Sequence, residues 1–150
     1  MSGERQSVGI IGTGLMGSAC SRRLVEAGFD VVGYDVDTAK LARFEQSDGR
    51  AARSIEDVAR ACRKVVLAVF NTDQVEEVIE GRHGLLSALP PAAPPLIAIC
   101  VSTCDPDRIA ALAARLPADR VLFVESPVSG TSAQTASGDA LGLIGGEPAA

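Results

Sequence analysis

The sequence predicts an α/β fold, with a doubly wound and mainly parallel sheet of about six strands and helices on both faces. Two observations support this prediction. Apolar runs of strand length alternate with stretches of helical periodicity along the chain, as in a parallel sheet that is covered on both faces. At 150 residues, the chain is about the size of one domain and can bury a core without a metal or disulfide staple.

Six apolar runs mark the predicted strands. The last of them lies between Gly138 and the pair Gly145-Gly146, where turns are expected on both sides. The runs cover residues 8–11, 31–34, 65–70, 96–101, 121–124 and 141–144.

Apolar faces and capping residues mark about four helices between the strands. In the first helix, Met16, Cys20, Leu24 and Ala27 recur at three- and four-residue spacing, together with Leu15 and Ala19, and Gly28 ends the helix. Three signals indicate later helix starts: capping boxes from Ser54 to Asp57 and from Asp73 to Glu76, and Asp105 before a first-turn Pro106.

The composition is typical of a soluble globular protein. The chain is 47% hydrophobic and 22% charged with a net charge of −5, which excludes a disordered chain or a basic surface for nucleic acid. The polar start, MSGERQS, precedes an apolar run too short for a signal peptide, and prolines interrupt the apolar stretch at 85–101, so no membrane partner is expected. We therefore expect a cytoplasmic protein. Twelve arginines against two lysines, with abundant alanine, indicate a GC-rich bacterial genome.

The cysteines and the single histidine predict no metal site. Cys20, Cys62, Cys100 and Cys104 lack CxxC spacing, and one histidine completes no zinc ligand set. We expect reduced, partly buried thiols. Cys104 is either redox-sensitive or inert, and the inert alternative is favoured because no cation neighbours it. His83 is predicted to be a solvated residue at a helix C-terminus and not a catalytic group.

Three glycines follow the first strand in the pattern GxGxxG, as Gly12-Thr-Gly14-Leu-Met-Gly17. Between a strand and a helix, this pattern is the fingerprint of a Rossmann-type dinucleotide site. Gly12 permits the tight turn, Gly14 lets a pyrophosphate approach the backbone, and Gly17 allows the helix to pack closely on the strand. The helix N-terminus then faces the phosphates. The alternative is a glycine turn that serves only the fold.

Asp35 follows the second strand, 23 positions after Gly12. A carboxylate at this place would accept hydrogen bonds from both ribose hydroxyls of adenosine. A 2′-phosphate would meet it as a like charge, and Val36, Asp37 and Thr38 supply no arginine to hold one. The sequence therefore predicts NAD over NADP. The alternative is that Asp35 is only a cap or a solvated turn residue.

Three further stretches extend the pattern: VVGYD at 31–35, VSTCDP at 101–106 and ESPVSGTSAQTASGDALGLIGG at 125–146. With the glycine motif they resemble the N-terminal domain of the β-hydroxyacid dehydrogenases, a family that includes 3-hydroxyisobutyrate, tartronate semialdehyde and L-threonate dehydrogenases and is related to 6-phosphogluconate dehydrogenase. The resemblance covers nearly the whole chain, and PVSG is its most specific part.

The resemblance implies an NAD-dependent oxidoreductase that transfers hydride between nicotinamide C4 and the hydroxyl-bearing carbon of a small β-hydroxyacid. It implies that the substrate carboxylate is bound by Ser129, Gly130 and Thr131. The cofactor residues that it implies are Gly12, Thr13, Gly14, Leu15, Met16 and Gly17 at the pyrophosphate, Asp35 at the adenosine ribose, Phe70, Asn71 and Thr72 in the loop after Val69, and Ser102 and Thr103 at the nicotinamide ribose.

Four residues, at three places in the chain, depart from the family pattern. Thr131 replaces the second glycine of Ser-Gly-Gly, Glu125-Ser126 replace Asp-Ala, and Cys100 stands where an aspartate often precedes the Ser-Thr pair. Thr131 leaves the substrate class open, because a side chain enters where only backbone is expected.

The family's acid/base group is a lysine of a second, all-helical domain, which the resemblance places beyond residue 150. The chain's own lysines, Lys40 and Lys64, are predicted near the adenine end and before a strand. We therefore expect residues 1–150 to be a dinucleotide-binding domain without a catalytic residue, from a protein that is a homo-oligomer at full length. Without the second domain, residues 1–150 should expose an apolar patch near 141–144, and this patch should drive self-association. The alternatives are a stand-alone nucleotide-sensing module and an NADP enzyme of the imine reductase type, against which Asp35 argues.

Overall fold

The computed structural model describes residues 6–47 and 49–150, which form nine strands and seven helices. Residues 1–5 of the polar start MSGERQS lie outside the described residues. The strands are β1 (Ser7–Ile11), β2 (Asp30–Tyr34), β3 (Arg50–Ala51), β4 (Lys64–Leu67), β5 (Leu96–Cys100), β6 (Val121–Glu125), β7 (Val128–Ser129), β8 (Leu141–Gly142) and β9 (Gly145–Gly146). The helices are α1 (Leu15–Glu26), α2 (Thr38–Ser47), α3 (Ile55–Ala61), α4 (Thr72–Glu80), α5 (Leu85–Ala88), α6 (Pro106–Arg115) and α7 (Ser132–Ser137).

Seven strands form one sheet in the order β3-β2-β1-β4-β5-β6-β9. All neighbours are parallel except β9, which is antiparallel to β6. The chain runs outward from β1 to β3, returns to the middle, and runs outward again from β4 to β6. This reversal leaves a crevice at the carboxyl ends of β1 and β4, the place where ligands bind in such sheets. The predicted doubly wound, mainly parallel sheet is confirmed.

Two apolar clusters cover the two faces of the sheet. Along β4, Val65 and Leu67 belong to a larger cluster that includes residues of α3, α4 and α6, whereas Val66 belongs to a smaller one with α1 and α2. Phe44 of α2 fills the space over Gly33, where a Cβ would lie 2.3 Å from the ring. The alternation along one strand explains why the apolar runs are continuous, since both faces of the sheet are buried.

The strands at the two edges differ from the prediction. β3 is not expected from the sequence, because Arg50–Ala51 has no apolar run and pairs with β2 through two backbone positions. The strand predicted at 141–144 is confirmed only for Leu141–Gly142, which pair with β7 in a separate two-stranded sheet, and the last strand of the main sheet is β9 at Gly145–Gly146. The side chains of this run are not buried, with exposed fractions of 68%, 62% and 80% at Leu141, Leu143 and Ile144. Apolar composition between glycines therefore did not mean a core strand here.

The first helix ends where the sequence predicts. Gly28 takes a left-handed conformation with φ +89, which glycine adopts readily. The predicted apolar face is right for Cys20 and Leu24, which pack against the smaller cluster. It is wrong for Leu15 and Ala27, which are exposed, because the ends of the helix extend past the surface that its middle turns cover.

The later helix starts agree with the prediction at two of three places. Ser54 caps α3 by accepting an N–H bond at 3.1 Å, and Asp105 caps α6. The capping box predicted at Asp73 is wrong, because α4 is capped two residues earlier by Asn71, whose Oδ1 accepts the N–H of Gln74 at 2.9 Å. The four helices that these signals mark correspond to α1, α3, α4 and α6, and the short helices α5 and α7 have no predicted counterpart. Within the described residues, no helix has both the length and the apolar character needed to cross a membrane.

Candidate functional site

Two glycines close the base of the crevice between β1 and β4. Gly12, directly after β1, has φ +93, and a Cβ there would lie 2.4 Å from the carbonyl oxygen of Ala68 in the loop after β4. A Cβ on Gly17 would lie 1.8 Å from the carbonyl oxygen of Gly12. No side chain fits at either position, so the turn, α1 and the loop after β4 are packed backbone against backbone. This is the tight turn and close helix packing that the glycine spacing predicts.

Gly14 differs from these two glycines because nothing lies within 4 Å of the place where its Cβ would be. It is the N-cap of α1, and no side-chain hydrogen bond caps this helix. The first turn of α1 contains no acidic residue. The N-terminus of an α-helix carries partial positive charge and N–H groups without intrahelical acceptors. An uncapped N-terminus beside open space is therefore suited to hold a phosphate group.

Asp35 follows β2, and its carboxylate is bonded to the glycine turn. Oδ2 accepts hydrogen bonds from the N–H of Thr13 at 2.7 Å and from the Thr13 hydroxyl at 3.3 Å. Oδ1 accepts the N–H of Asp37 at 2.9 Å. A carboxylate offers about four acceptor positions, so about one remains for a ligand. Hydrogen bonds to both ribose hydroxyls, as predicted from the sequence, would require one of these internal bonds to be exchanged.

A second carboxylate, Asp37, stands at the start of α2. Its Oδ1 accepts the N–H groups of Ala39 at 2.9 Å and Lys40 at 3.2 Å. The pKa of Asp37 lies below its usual range, chiefly because its carboxylate accepts the N–H of Lys40. The N–H of Ala39 and the positive charges of Lys40 and Arg43 lower it further. Two carboxylates, Asp35 and Asp37, therefore follow the end of β2.

The loops after β4 and β5 are joined by side chains that the sequence assigns to a cofactor. The buried hydroxyl of Ser102 donates to the carbonyl oxygen of Val69 at 2.7 Å. Thr72 Oγ1 accepts the N–H of the residue that caps α6, at 2.9 Å, and Asn71 caps α4. Ser102 and Thr72 therefore hold the two loops together, whereas Asn71 fixes the start of α4. Thr103 is exposed.

Three large apolar side chains are exposed around the glycine turn. Leu15 at the start of α1, Val36 after β2 and Phe70 after β4 have exposed fractions of 83%, 85% and 86%. They come from the segments that follow three adjacent strands of the sheet. Such side chains at one end of a sheet offer an apolar surface to the flat face of a ligand.

The predicted substrate residues lie in the turn between β7 and α7. Gly130 has φ +143, a conformation that favours glycine. Thr131 caps α7: its hydroxyl oxygen accepts the N–H of Gln134 at 3.2 Å, and Gln134 Oε1 accepts the N–H of Thr131 at 2.8 Å. This capping box occupies the Thr131 N–H, whereas Ser129 is exposed.

Helix α7 packs against α1 and brings this turn to the glycine motif. The hydroxyl oxygen of Thr135 lies 3.4 Å from the sulfur of Met16. Near the other end of α7, a Cβ on Gly138 would lie 3.1 Å from the guanidinium of Arg23 in α1. Residues 129–131 therefore precede the end of α7 that lies nearer Met16 and the glycine motif at 12–17.

Comparison with known proteins identifies the domain. A family model described as the NAD binding domain of 6-phosphogluconate dehydrogenase matches residues 7–150. The chain belongs to this family.

Relatives of this NAD-binding domain include named dehydrogenases. L-Threonate dehydrogenase of Cupriavidus necator is 33% identical over 134 residues, which cover 89% of this chain and 44% of the relative. Mitochondrial 3-hydroxyisobutyrate dehydrogenase of Rattus norvegicus is 28% identical over 143 residues, which cover 95% of this chain and 42% of the relative. The chain thus spans less than half the length of either protein.

Solved structures share the fold of this NAD-binding domain. Mycobacterium tuberculosis 3-hydroxyisobutyrate dehydrogenase with L-serine has a TM-score of 0.85 and 22% identity, covering 97% of this chain and 48% of its own. Psf3 in complex with NADP+ and 2-OPP has a TM-score of 0.85 and 26% identity, covering 95% and 49%. An imine reductase from Pseudomonas sp., with a TM-score of 0.72 and 20% identity over 87% and 44%, shares the fold alone.

Neither lysine of this NAD-binding domain lies near the turn at 129–131 or the loop after β5. Lys64 is the first residue of β4, at the end of the sheet opposite the crevice, and its ammonium donates to Gln6 Oε1 at 3.2 Å. Lys40 lies on α2, 3.8 Å from Asp37, and β1 and β4 separate β2 from β5.

Two glutamines that fix loops of the NAD-binding domain are not among the predicted site residues. Gln74 Oε1 accepts the N–H of Phe70 at 2.7 Å, and Gln134 Oε1 accepts that of Thr131. Each glutamine lies three residues after a capping side chain, Asn71 or Thr131, which is capping-box spacing. The sequence therefore carried a signal for both.

Proposed function

We propose that this chain is the cofactor-binding domain of an NAD-dependent dehydrogenase that acts on a small β-hydroxyacid. The observation that supports the proposal most is the uncapped N-terminus of α1 beside the open space at Gly14. A Cβ would fill this cradle without touching the protein, so the space is available for a pyrophosphate. Family membership and the dehydrogenases among the relatives support the same function.

The residues present fit a dinucleotide. The backbone of residues 12–17 would hold the pyrophosphate, and Asp35 would hold the adenosine ribose through its remaining acceptor position. Phe70 and Val36, both highly exposed, would contact the adenine ring from the loops on either side. Thr103 is free to approach the nicotinamide ribose, whereas Ser102 mainly fixes its loop, because its hydroxyl already donates to Val69.

The preference for NAD over NADP is proposed from charge. A 2′-phosphate would approach Asp35 as a like charge, with Asp37 two residues further on. The lowered pKa of Asp37 keeps this second group ionised. Lys40 is the next positively charged residue along the chain, and its ammonium is paired with the Asp37 carboxylate at 3.8 Å. Psf3 binds NADP+ in its complex, so cofactor choice in this fold is a property of each chain.

Carboxylate binding is proposed to rest on Ser129 and Gly130. The exposed Ser129 hydroxyl and the N–H of Gly130 can donate to a carboxylate, while the N–H of Thr131 is held by Gln134 at 2.8 Å. The bound nicotinamide would supply the hydride acceptor. The task of this turn is therefore to orient the substrate, with fewer backbone donors than Ser-Gly-Gly would offer.

A proton donor or acceptor must lie within hydrogen-bond reach of the reacting oxygen. Neither lysine of this chain meets this condition, because Lys64 lies at the opposite end of the sheet beside Gln6 and Lys40 lies on α2 beside Asp37. We assign this role to a lysine of an all-helical domain outside residues 1–150, which would also build the homo-oligomer. This chain alone is then expected to bind nucleotide and to oxidise no hydroxyacid.

The test is calorimetric titration of the chain with NAD(H) and NADP(H) side by side. We expect NADP(H) to bind at least about fivefold more weakly, which corresponds to about 1 kcal/mol. Asp35→Asn, which removes the charge and one of the two oxygens that accept backbone N–H groups, should reduce this ratio. Asp119→Asn is the matched control, because Asp119 lies in the turn before β6, at the opposite end of the sheet.

A second variant separates adenine contact from charge. Phe70→Ala should weaken NAD(H) and NADP(H) by the same factor, about fivefold or more if the ring stacks on a base, and leave the melting temperature unchanged because the side chain is exposed. A folded wild-type chain that binds neither nucleotide would refute the proposed function. Equal affinity for both would refute only the charge-based preference.

A further inference from the structure

Two cysteines lie in contact beside the loop after β5. Cys100 is the last residue of β5 and is fully buried, and Cys104 follows four residues later and is partly buried. Their sulfur atoms are 4.0 Å apart. A disulfide has a sulfur–sulfur distance of about 2 Å, so an approach of about 2 Å would join them.

We propose that Cys100 and Cys104 form a peroxide-sensitive dithiol, whose oxidation to a disulfide displaces the loop that carries Ser102 and Thr103. The position of the two cysteines at the end of β5 and in the short loop that follows it carries the proposal. Only residues 101–103 lie between the two cysteines, so the sulfur atoms can approach through movement of this segment, without rearrangement of the sheet.

The two thiols have different environments. The pKa of Cys100 is raised to about 12, chiefly by burial of its thiol and further by the nearby Cys104 thiol and Glu125 carboxylate. Cys100 is therefore protonated at rest, and peroxide meets the more accessible Cys104 first. The joined pair is also uncharged, so oxidation places no charge in the buried surroundings of Cys100.

The chemistry balances with hydrogen peroxide as the oxidant. The Cys104 sulfur attacks a peroxide oxygen, the O–O bond breaks, and a sulfenic acid and water are produced. The Cys100 sulfur then attacks the Cys104 sulfur, the S–S bond forms and the S–O bond breaks. The leaving hydroxide takes the Cys100 proton as a second water. The two sulfurs lose two electrons in total, and the peroxide gains them.

Two of the hydrogen bonds that hold this loop to its neighbour lie on either side of Thr103. Ser102 donates to the carbonyl oxygen of Val69 at 2.7 Å, and the N–H of Asp105 donates to Thr72 at 2.9 Å. Closing the disulfide is expected to pull Cys104 toward β5 between these bonds and to lengthen at least one of them. The effect on nucleotide binding rests on the proposed function, because Thr103 faces the nicotinamide ribose only if a dinucleotide binds here.

The covalent step is tested by mass spectrometry on the whole chain. Reduced protein is treated with hydrogen peroxide, alkylated under unfolding conditions and digested with trypsin. Cleavage after Arg82 and Arg108 gives one peptide that contains Cys100 and Cys104 and neither other cysteine. We expect this peptide to lose two hydrogens, to escape alkylation, and to recover both alkyl groups after treatment with dithiothreitol.

Two variants make the result specific. Cys104→Ser should leave Cys100 fully alkylatable after peroxide, because the first sulfur to react is gone. Cys20→Ala is the matched control and should leave the disulfide unchanged, since Cys20 lies on α1, on the other face of the sheet. Persistence of two alkylatable thiols in the wild-type peptide, or over-oxidation of Cys104 with Cys100 still reduced, would overturn the dithiol.

The loop displacement has its own readouts. Oxidised protein should exchange the amide hydrogens of residues 101–105 faster than reduced protein, and this result requires no ligand. It should also bind NADH at least fivefold more weakly, with affinity restored by dithiothreitol and no peroxide effect in Cys104→Ser. Unchanged exchange with a proven disulfide would overturn the displacement. Failure of reduced protein to bind NADH would count against the proposed function, and the mass and exchange results would still decide the dithiol.

Discussion

Alanine at Gly17 is expected to destabilise the domain, because it forces apart the closest backbone contact in the nucleotide turn. A Cβ at this position would lie 1.8 Å from the carbonyl oxygen of Gly12 and 2.9 Å from its carbonyl carbon. Real Cβ contacts are not shorter than 3.0 Å, so α1 must move by at least 1.2 Å relative to the turn. Both contacting atoms are backbone, and no side-chain rotation can relieve the clash.

The magnitude follows from two opposing terms. Overpacking a well-packed site costs about 1–3 kcal/mol, and more where backbone must shift. Alanine in place of glycine recovers at most about 1 kcal/mol of helix propensity. We expect a net loss of about 2 kcal/mol, which lowers the melting temperature of a chain of this size by about 4–8 °C.

Gly14→Ala is the matched control. The same methyl group is added three residues earlier, where nothing lies within 4 Å and φ is −70. Stability should change by less than about 0.5 kcal/mol, while NADH affinity falls at least about tenfold, or 1.4 kcal/mol, because the methyl fills the phosphate cradle. Thermal unfolding by circular dichroism and calorimetric titration measure the two effects. A Gly17→Ala protein with unchanged melting temperature and unchanged NADH affinity would refute the packing derived for the turn.

Three other changes have defined outcomes. Arg120→Ala removes hydrogen bonds at 2.7–3.0 Å to the carbonyl oxygens of residues 89–91 and should lower the unfolding free energy by about 2 kcal/mol, as measured by urea denaturation. Arg108 and Arg115 of α6 lower the pKa of Glu76, chiefly through the side-chain hydrogen bond from Arg108. The ionised Glu76 therefore stabilises the fold at pH values above its unfolded pKa of about 4.3. This stabilisation is lost as the pH falls through the lower pKa that Glu76 has in the folded protein. Glu76→Gln should therefore melt below wild type at pH 7 and approach it at acid pH, whereas Glu77→Gln should show no such gap. Thr131→Ala removes the cap of α7 and should cost about 1 kcal/mol, seen as faster amide exchange at residues 132–137.

The parts of the fold that the sequence predicted are those determined by local pattern. The apolar runs that became β1, β2, β4 and β5 contribute to the clusters on both faces of the sheet, and the run that became β6 contributes to the larger cluster. Such runs are visible in the sequence without knowledge of their partners. β3 could not be predicted in this way, because its two residues are extended only through pairing with β2. The run at 141–144 shows the converse error, since its apolar residues are exposed and burial is decided by the rest of the fold.

In the candidate site too, the features set by local sequence could be predicted, and the long-range contacts could not. The roles of Gly12 and Gly17 follow from backbone geometry, which the glycine spacing encodes directly. The internal bonds of Asp35 and Ser102 join residues 22 and 33 positions apart, and no local pattern specifies such partners. The box from Thr131 to Gln134 is a local pattern, but Thr131 was interpreted only by its departure from Ser-Gly-Gly. The contact of Cys100 with Cys104 depends on the course of an irregular loop, for which spacing alone fixes no distance.

The two outer strands of the main sheet, β3 and β9, are each only two residues long. An edge strand exposes unpaired N–H and C=O groups that can recruit a strand from another molecule, and short or charged edges oppose this. Arg50 places a charge on one edge, and β9 consists of two glycines followed after Glu147 by a proline. Self-association through the exposed side chains of 141–144 should therefore be reversible clustering, and not the backbone-templated growth that leads to fibrils.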